Sequence, residues 1–183
     1  MTYYGGRELA AAFRTVRNNT IQIAEEIGEE HYGFRAAPGT RSVAETLLHI
    51  ANVPRIAYQI HGVTKVTTFV GFDFMGVVMP LINEEKNPHT KAEILKKLTE
   101  GREQFASFLE GLSEDFLTQE VAMPPNSGNP PSKTRFEMLL STKEHEMHHR
   151  GQLMLLERMV GIVPHLTRQM EARMAQMQQS AAR

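Results

Sequence analysis

The segment from Glu144 to Gln152 concentrates imidazole side chains, since it contains three of the eight histidines of the chain. It lies inside a long helical pattern. His145 and His149 are four residues apart, so on an α-helix they project from one face about one turn apart. Two neutral imidazoles in that arrangement can share one divalent metal ion. A third ligand would then have to come from another part of the chain.

Both histidines interrupt a stripe of apolar residues, so both are predicted to be buried. A buried imidazole that lacks a partner costs about 1–3 kcal/mol, and either a hydrogen bond or a metal ion can satisfy it. The pair alone leaves these two interpretations open. His49 favours the metal, because it is the only other histidine in a helical segment predicted to face the core.

The other histidines are expected to have no part in this site. His148 is about 100° around the helix from His149, so it points away when His145 and His149 face inward. The alternative pair of His145 with His148 would leave His149 buried without a role. The rest lie in connections or near helix ends, where exposed or capping positions are expected: His31, His61, His89 and His165.

Three further polar residues lie in the same segment. Glu146 with His149 matches the Glu-x-x-His spacing of di-iron bundles, but a second such motif is missing, so a two-metal carboxylate site is disfavoured. Gln152 lies near the His145 face and is predicted to donate a hydrogen bond that fixes an imidazole tautomer. Arg150 is expected to form a salt bridge on the helix surface or between subunits.

The composition indicates one globular domain. A chain of 183 residues buries roughly 70% of its unfolded surface on folding. With 20 basic and 21 acidic residues, nothing indicates binding to nucleic acid or to an anionic membrane. The absence of cysteine excludes disulfides, thiolate ligands and a cysteine nucleophile. Neither a signal peptide nor an apolar run of ~20 residues is evident, so we expect a cytoplasmic protein without a membrane span.

Apolar spacing and capping boxes predict four long helices. The four predicted helices begin at Glu8, Ser42, Thr90 and Thr134 and end near Ile27, Gly62, Ser113 and Gly161. The last three each open with a Ser or Thr followed three residues later by Glu. Pro54 is expected to kink the second helix or to end it nearby.

The connections complete an all-α prediction. Residues 62–88 are expected to form an irregular cover with one short helix, and 118–133 a loop, because two Pro-Pro pairs interrupt it. Four amphipathic helices with a long crossover between the second and the third predict a four-helix bundle over 1–165. Residues 166–183 are predicted to form an amphipathic helical tail, with methionines at helical spacing.

Two motifs resemble those of the DinB-like (DinB/YfiT) four-helix bundles. The first is Ser42-Val-Ala-Glu-Thr-Leu-Leu-His49, and the second is His145-Glu-Met-His-His149-Arg-Gly-Gln-Leu153, followed by Gly161 and Pro164. The resemblance covers roughly residues 5–165. It implies one divalent metal ion bound by His49, His145 and His149, and it implies a homodimer. It also implies an activity such as thiol-dependent S-transfer or isomerisation.

The leading functional hypothesis is a metal-dependent transferase. Three histidines leave a metal ion an open position, where it can polarise a substrate oxygen, acidify water or hold a thiol as thiolate. Since the chain has no cysteine, the thiol would be a small molecule. A metal-dependent hydrolase and a bundle with a purely structural metal are the alternatives. Zinc and nickel are favoured, iron and copper are alternatives, and the expected substrate is a small molecule.

Overall fold

The computed structural model describes residues 4–181 and shows the all-α architecture expected from the sequence. The α-helices are α1 (Gly6–Glu26), α2 (Val43–Tyr58), α3 (Phe74–Glu85), α4 (Lys91–Glu110), α5 (Glu114–Leu117), α6 (Arg135–Met159) and α7 (His165–Ala181). Helices α1, α2, α4 and α6 pack as the predicted four-helix bundle, in which α1 and α2 each contact both α4 and α6. Residues 1–3 and 182–183, at the ends of the predicted bundle and tail, lie outside the described part.

All three predicted capping boxes are present, and they explain where the helices begin. At the start of α2, Glu45 N donates to Ser42 Oγ at 3.2 Å, and Ser42 N donates to the Glu45 carboxylate at 3.0 Å. The same reciprocal pair opens α4 at Thr90 and α6 at Thr134. Each box satisfies backbone donors that the helix itself leaves without acceptors.

The bundle core lies in two apolar clusters, and one of them surrounds the predicted site. Side chains on both sides of His49, among them Leu48 and Ile50, are buried in this first cluster. Leu153 and Leu156 of α6 belong to it as well. Burial of each such aliphatic side chain contributes about 1.5–3 kcal/mol, so the α2–α6 contact that positions the histidines is a well-packed one.

Pro54 does not end α2, which runs on to Tyr58 and continues as a π-helical turn over Gln59–Val63. Proline has no N–H, so the carbonyl of Ile50, four residues earlier, loses its helical donor. Arg17 Nη2 of α1 donates to that carbonyl at 3.1 Å instead. The replacement bond explains why the helix tolerates the proline.

The connections contain more regular structure than predicted. The one helix expected within residues 62–88 is α3, which packs on α2. The loop predicted over 118–133 is wrong at both ends, because strands β1 (Glu120–Ala122) and β2 (Ser132–Thr134) pair as an antiparallel hairpin. Residues 118–119 and the Pro-rich segment between the strands are irregular. Because proline cannot donate a hydrogen bond to a neighbouring strand, the two Pro-Pro pairs favoured a loop, and these short strands were not predicted.

The C-terminal segment is helical, as predicted. Helix α7 is exposed along most of its length, and only His165, its first residue, is fully buried. Within residues 4–181 no helix combines the length and the apolar character needed to cross a membrane.

Candidate metal centre

The structure brings together the three histidines predicted from the sequence. His49 projects from α2, and His145 and His149 project from α6. The Nε2 atom of His145 lies 3.2 Å from the Nε2 of His49 and 3.2 Å from the Nε2 of His149. One ring nitrogen from each residue lies within 4.8 Å of the others, in a group that could hold a metal ion.

Hydrogen bonds to the other ring nitrogens orient two of these imidazoles. His49 Nδ1 lies 2.9 Å from Glu85 Oε1, and His149 Nδ1 lies 2.7 Å from Gln152 Oε1. A carboxylate and an amide oxygen can only accept, so each Nδ1 carries the hydrogen. In the neutral imidazole, each Nε2 is therefore an acceptor directed toward His145 Nε2.

This set of nitrogens fits a divalent cation. Acceptor atoms that face one another repel unless a proton or a cation lies among them. In a tetrahedral zinc site, nitrogen ligands at 2.0–2.1 Å from the ion lie roughly 3.3 Å apart, close to the two separations of 3.2 Å. The donors are also imidazoles alone, which suits zinc, nickel, copper or iron.

The protonation states agree with this fit. Burial, and then the neighbouring His149 and His49, lower the pKa of His145 to about 4. Burial also lowers the pKa of His149, although its hydrogen bond to Gln152 opposes the shift. Both rings are therefore neutral at pH 7, which is the form that binds a metal.

Among the remaining residues of the α6 motif, His148 agrees with its prediction, whereas Gln152 and Arg150 differ from theirs. His148 is exposed and lies outside the cluster, where its Nε2 accepts from Gln152 Nε2 at 3.1 Å. Gln152 does fix an imidazole tautomer, but as an acceptor from His149 rather than as a donor. The salt bridge expected for Arg150 is not found within residues 4–181, and burial lowers the pKa of its half-buried guanidinium.

Glu146 is not part of the group of residues that could hold a metal ion. It forms a buried ion pair with Arg17 of α1, with oxygen–nitrogen distances of 2.8 and 2.9 Å. Arg17 also donates to the carbonyls of Leu98 in α4 and Ile50 in α2. A single guanidinium thus connects all four bundle helices, and it contacts the direct neighbours of His145 and His49.

Sequence reasoning missed Glu85 and Arg17. Glu85 ends α3, a segment whose helical pattern is obscured by glycine and proline, and no periodicity placed it beside His49. It is buried and also lies 3.4 Å from the Nε of Arg41. Arg17 did carry a signal, because it lies four residues after Phe13 and three before Thr20, on the buried face of α1.

A cavity of about 610 Å³ opens beside the histidine cluster and has room for a small-molecule substrate. His149, Glu85 and Gln152 line one part of it. Its other charged lining residues are Arg41, Glu45 and Lys86. The cluster is therefore accessible from a site with both charged and apolar walls.

Two of the histidines expected to be exposed or capping are in fact buried. His61 is 2% exposed and His165 is 1% exposed. Both lie near helix ends in the sequence, but the π-helical turn carries His61 into the protein, where its Nδ1 contacts Arg135 Nη1 at 3.1 Å. His165 packs where α7 meets α1, with Asn19 Oδ1 at 3.3 Å from its Nε2.

Comparison with known proteins gives one family and several related structures. The family model described as "DinB superfamily" matches residues 12–153. The uncharacterised protein YjoA of Bacillus subtilis is 27% identical over 154 residues, which are 84% of this chain and 90% of YjoA.

Two solved structures show the same fold. The crystal structure of YjoA, a DinB-like protein, has a TM-score of 0.60 at 23% identity and covers 84% of this chain and 92% of that chain. YfiT from Bacillus subtilis has a TM-score of 0.67 at 16% identity, with coverage of 88% and 91%. YfiT is described as a probable metal-dependent hydrolase with an unusual four-helix bundle topology.

Proposed function

The chain belongs to the DinB superfamily, and from that membership and the histidine cluster we propose that it is a metal-dependent enzyme acting on a small molecule. In this proposal His49, His145 and His149 bind one divalent ion, with zinc or nickel favoured. The observation that carries it is the convergence of three histidine Nε2 atoms beside a cavity of about 610 Å³.

The ligand set supports a catalytic role over a purely structural one. Within residues 4–181 the group that could hold the ion contains three histidines and no fourth residue. The Glu85 carboxylate accepts a hydrogen bond from His49 Nδ1 and is not part of this group. Three protein ligands leave a position for substrate or water, whereas structural sites are usually closed by a fourth. A bound ion would there stabilise a thiolate or acidify a water molecule.

We infer that the reaction is transfer of a small-molecule thiol to an electrophile. Attack by a thiolate needs no protein base, and the carboxylates that line the cavity are already engaged. Glu45 pairs with Arg35, and Glu85 pairs with His49 and Arg41. The chain also has no cysteine to act as the nucleophile.

Hydrolysis is the second candidate, and the description of YfiT as a probable metal-dependent hydrolase favours it. Expulsion of a poor leaving group generally needs a proton donor. The carboxylates that line this cavity are engaged in ion pairs, which makes them poor proton donors. The cavity therefore suits thiol transfer better than hydrolysis.

Metal analysis tests the ligand assignment. We expect about one equivalent of divalent metal in the purified protein and a loss of most of it in His145→Ala and in His149→Ala. The matched control is His148→Ala, in the same motif but outside the cluster, which should keep its metal. Equal metal content in all four proteins, or none in any, would refute the site.

Turnover assays then separate the two reactions. Low-molecular-weight thiols are mixed with a fluorogenic electrophile such as monochlorobimane, and ester and amide substrates are tested in parallel. Metal-dependent consumption of thiol that is lost in His149→Ala supports transfer. Metal-dependent hydrolysis without any thiol supports the second candidate, and inactivity of the metal-loaded protein in every assay refutes both.

A further inference from the structure

A second cavity lies at the other end of the α2 segment, away from the histidine cluster. It has a volume of about 480 Å³, and its lining includes His61, Lys65, Ser107 and Ser113 as well as the rings of Phe108 and Phe116. His61 follows His49 by twelve residues, which corresponds to roughly 18 Å along a helix. No carboxylate of the described residues lines this cavity.

His61 presents a hydrogen-bond donor at this cavity. Its Nδ1 lies 3.1 Å from Arg135 Nη1, and because a guanidinium can only donate, Nδ1 must be the acceptor. The hydrogen of the neutral ring is then on Nε2. Within residues 4–181 the bond from Arg135 is the only hydrogen bond that the imidazole makes, although the residue is 2% exposed.

The charge state of His61 is set by its surroundings. Burial, and then the positive charge of Arg135, lower the pKa of His61 to about 4. The ring is therefore neutral at pH 7 and can donate through Nε2, because its Nδ1 already accepts from Arg135.

Arg135 places a positive charge directly behind that donor. It is 1% exposed, and its hydrogen bonds go to neutral acceptors: Gln119 Oε1, Lys65 O and His61 Nδ1. Its guanidinium also lies 4.6 Å from the centre of the Phe116 ring. No carboxylate of residues 4–181 pairs with it. A buried cation without a counter-ion is costly, and an anion in the adjacent cavity would offset that cost.

The backbone around the cavity has two uncommon conformations. His61 lies in the π-helical turn Gln59–Val63, a form of helix that is frequent at functional sites. Lys65 has a φ of 52°, in the left-handed region that non-glycine residues rarely adopt. The Arg135 bond to its carbonyl holds this conformation, while the Lys65 side chain lines the cavity.

We propose that this cavity is a second binding site, distinct from the histidine cluster, for a small organic carboxylate with an apolar body. The carboxylate accepts from His61 Nε2 and pairs with the Lys65 ammonium, with the charge of Arg135 behind the imidazole. Ser107 and Ser113 also line the cavity, and Phe108 and Phe116 would contact the apolar body.

Nuclear magnetic resonance of the full-length, metal-loaded protein with ¹⁵N-labelled histidine tests this proposal, with benzoate as the probe. We expect a saturable shift of the His61 ring nitrogens, which the His61→Gln variant assigns by their disappearance. Benzamide, a neutral molecule of the same shape, should bind at least fivefold more weakly. Inorganic phosphate should also be weaker, because it has no apolar body.

Two variants locate the site. Lys65→Met should weaken benzoate binding about fivefold, the upper range for a solvent-exposed ion pair. Lys96→Met is the matched control, because Lys96 is an exposed lysine of α4 that lies outside the cavity. The shift should also persist in His149→Ala, which separates this site from binding at the metal.

Several outcomes would overturn the proposal. These are the absence of a saturable His61 shift, equal affinity for benzamide and benzoate, and equal effects of Lys65→Met and Lys96→Met. Phosphate binding as tight as that of benzoate would refute the carboxylate assignment, and loss of the shift in His149→Ala would place the binding at the metal centre.

Discussion

At the scale of single residues, Glu85 determines which nitrogen of His49 faces the cluster. Its carboxylate accepts from His49 Nδ1 at 2.9 Å, so it fixes the tautomer and makes the Nε2 a better donor to a metal. We expect Glu85→Leu to weaken metal binding roughly 10–100-fold, the range found when such supporting residues are removed. Competition with a chromophoric chelator measures the change.

The preceding residue of α3 provides the control for this prediction. Glu84 pairs with Arg55 and Lys97 rather than with a histidine, so Glu84→Leu should leave metal affinity within about twofold of the wild type. A Glu85→Leu protein that binds metal as tightly as Glu84→Leu does would show that the His49 tautomer is set by something else.

Glu157 of α6 makes the stability of the folded state depend on pH. Burial, and then the nearby Glu26, raise its pKa to about 7, and it is 0% exposed with both carboxylate oxygens lacking a hydrogen-bond partner within residues 4–181. In the unfolded chain it ionises near its ordinary value of 4.5. The folded state is therefore penalised progressively as the pH rises from about 4.5 to 7, by roughly 3 kcal/mol in full.

The variant Glu157→Gln removes this titration. Relative to the wild type, we expect its free energy of unfolding to increase between pH 5 and pH 8, by up to about 3 kcal/mol, because the wild type alone is destabilised over that range. Urea unfolding of both proteins at the two pH values measures how the difference between them changes with pH. An effect of the amide that does not depend on pH is the same at both values and therefore cancels. A constant difference between the two proteins would contradict the raised pKa.

The site residues divide clearly into those that the sequence could predict and those that it could not. His145 and His149 are four residues apart, so helix geometry alone brings them together, and His49 could be predicted because it lies in a helical segment that faces the core. Glu85 lies 36 residues after His49, and its position depends on how α3 packs across α2. No local pattern contains that information.

At the scale of helices and strands, the Arg17–Glu146 pair connects the four helices of the bundle. The side chains of Arg17 and Glu146 are 0% and 2% exposed. Removal of one member of a buried pair leaves an unpaired charge. We expect Arg17→Met to lower the free energy of unfolding by about 3–5 kcal/mol. It also removes the donor to the Ile50 carbonyl, the one freed by Pro54. Chemical denaturation measures the loss.

An arginine on the same helix serves as the reference for Arg17. Arg14 pairs with Glu103 and Glu110 on the surface, where such pairs contribute about 0–1 kcal/mol. Arg14→Met should therefore cost less than about 1 kcal/mol. The double variant Arg17→Met/Glu146→Leu, which leaves no unpaired charge, should recover part of the stability lost in Arg17→Met. Equal losses in Arg14→Met and Arg17→Met would contradict the argument.

Helix starts were easier to predict than the connections. A capping box is a local hydrogen-bonded motif, so Ser42, Thr90 and Thr134 could be identified from four residues each. The β1–β2 hairpin instead depends on pairing across a Pro-rich segment and on the contact of Thr68 with Ala122. Such long-range pairing has no signature in strands of three residues.

At the scale of the whole molecule, large apolar side chains remain exposed along the C-terminal part of the chain. Met170, Met174 and Met177 of α7 are 59%, 50% and 69% exposed, and they follow one another at helical spacing. Leu155 and Met159 of α6 are 58% and 48% exposed. Exposed apolar side chains that gather on one surface commonly mark a contact with another protein. The homodimer expected from the sequence stays a prediction, and these side chains suggest where its interface would lie.

We therefore predict a homodimer in solution that uses the methionine face of α7. Size-exclusion chromatography with light scattering should give twice the chain mass of 20.7 kDa for the wild type and the monomer mass for Met170→Glu/Met174→Glu. The control, Gln169→Glu/Gln176→Glu, adds the same charge to polar positions of α7 and should stay dimeric. Metal content should be unchanged in both variants, because His49, His145 and His149 all come from one chain. A monomeric wild type, or dissociation caused equally by both variants, would show that the methionine face is not the interface.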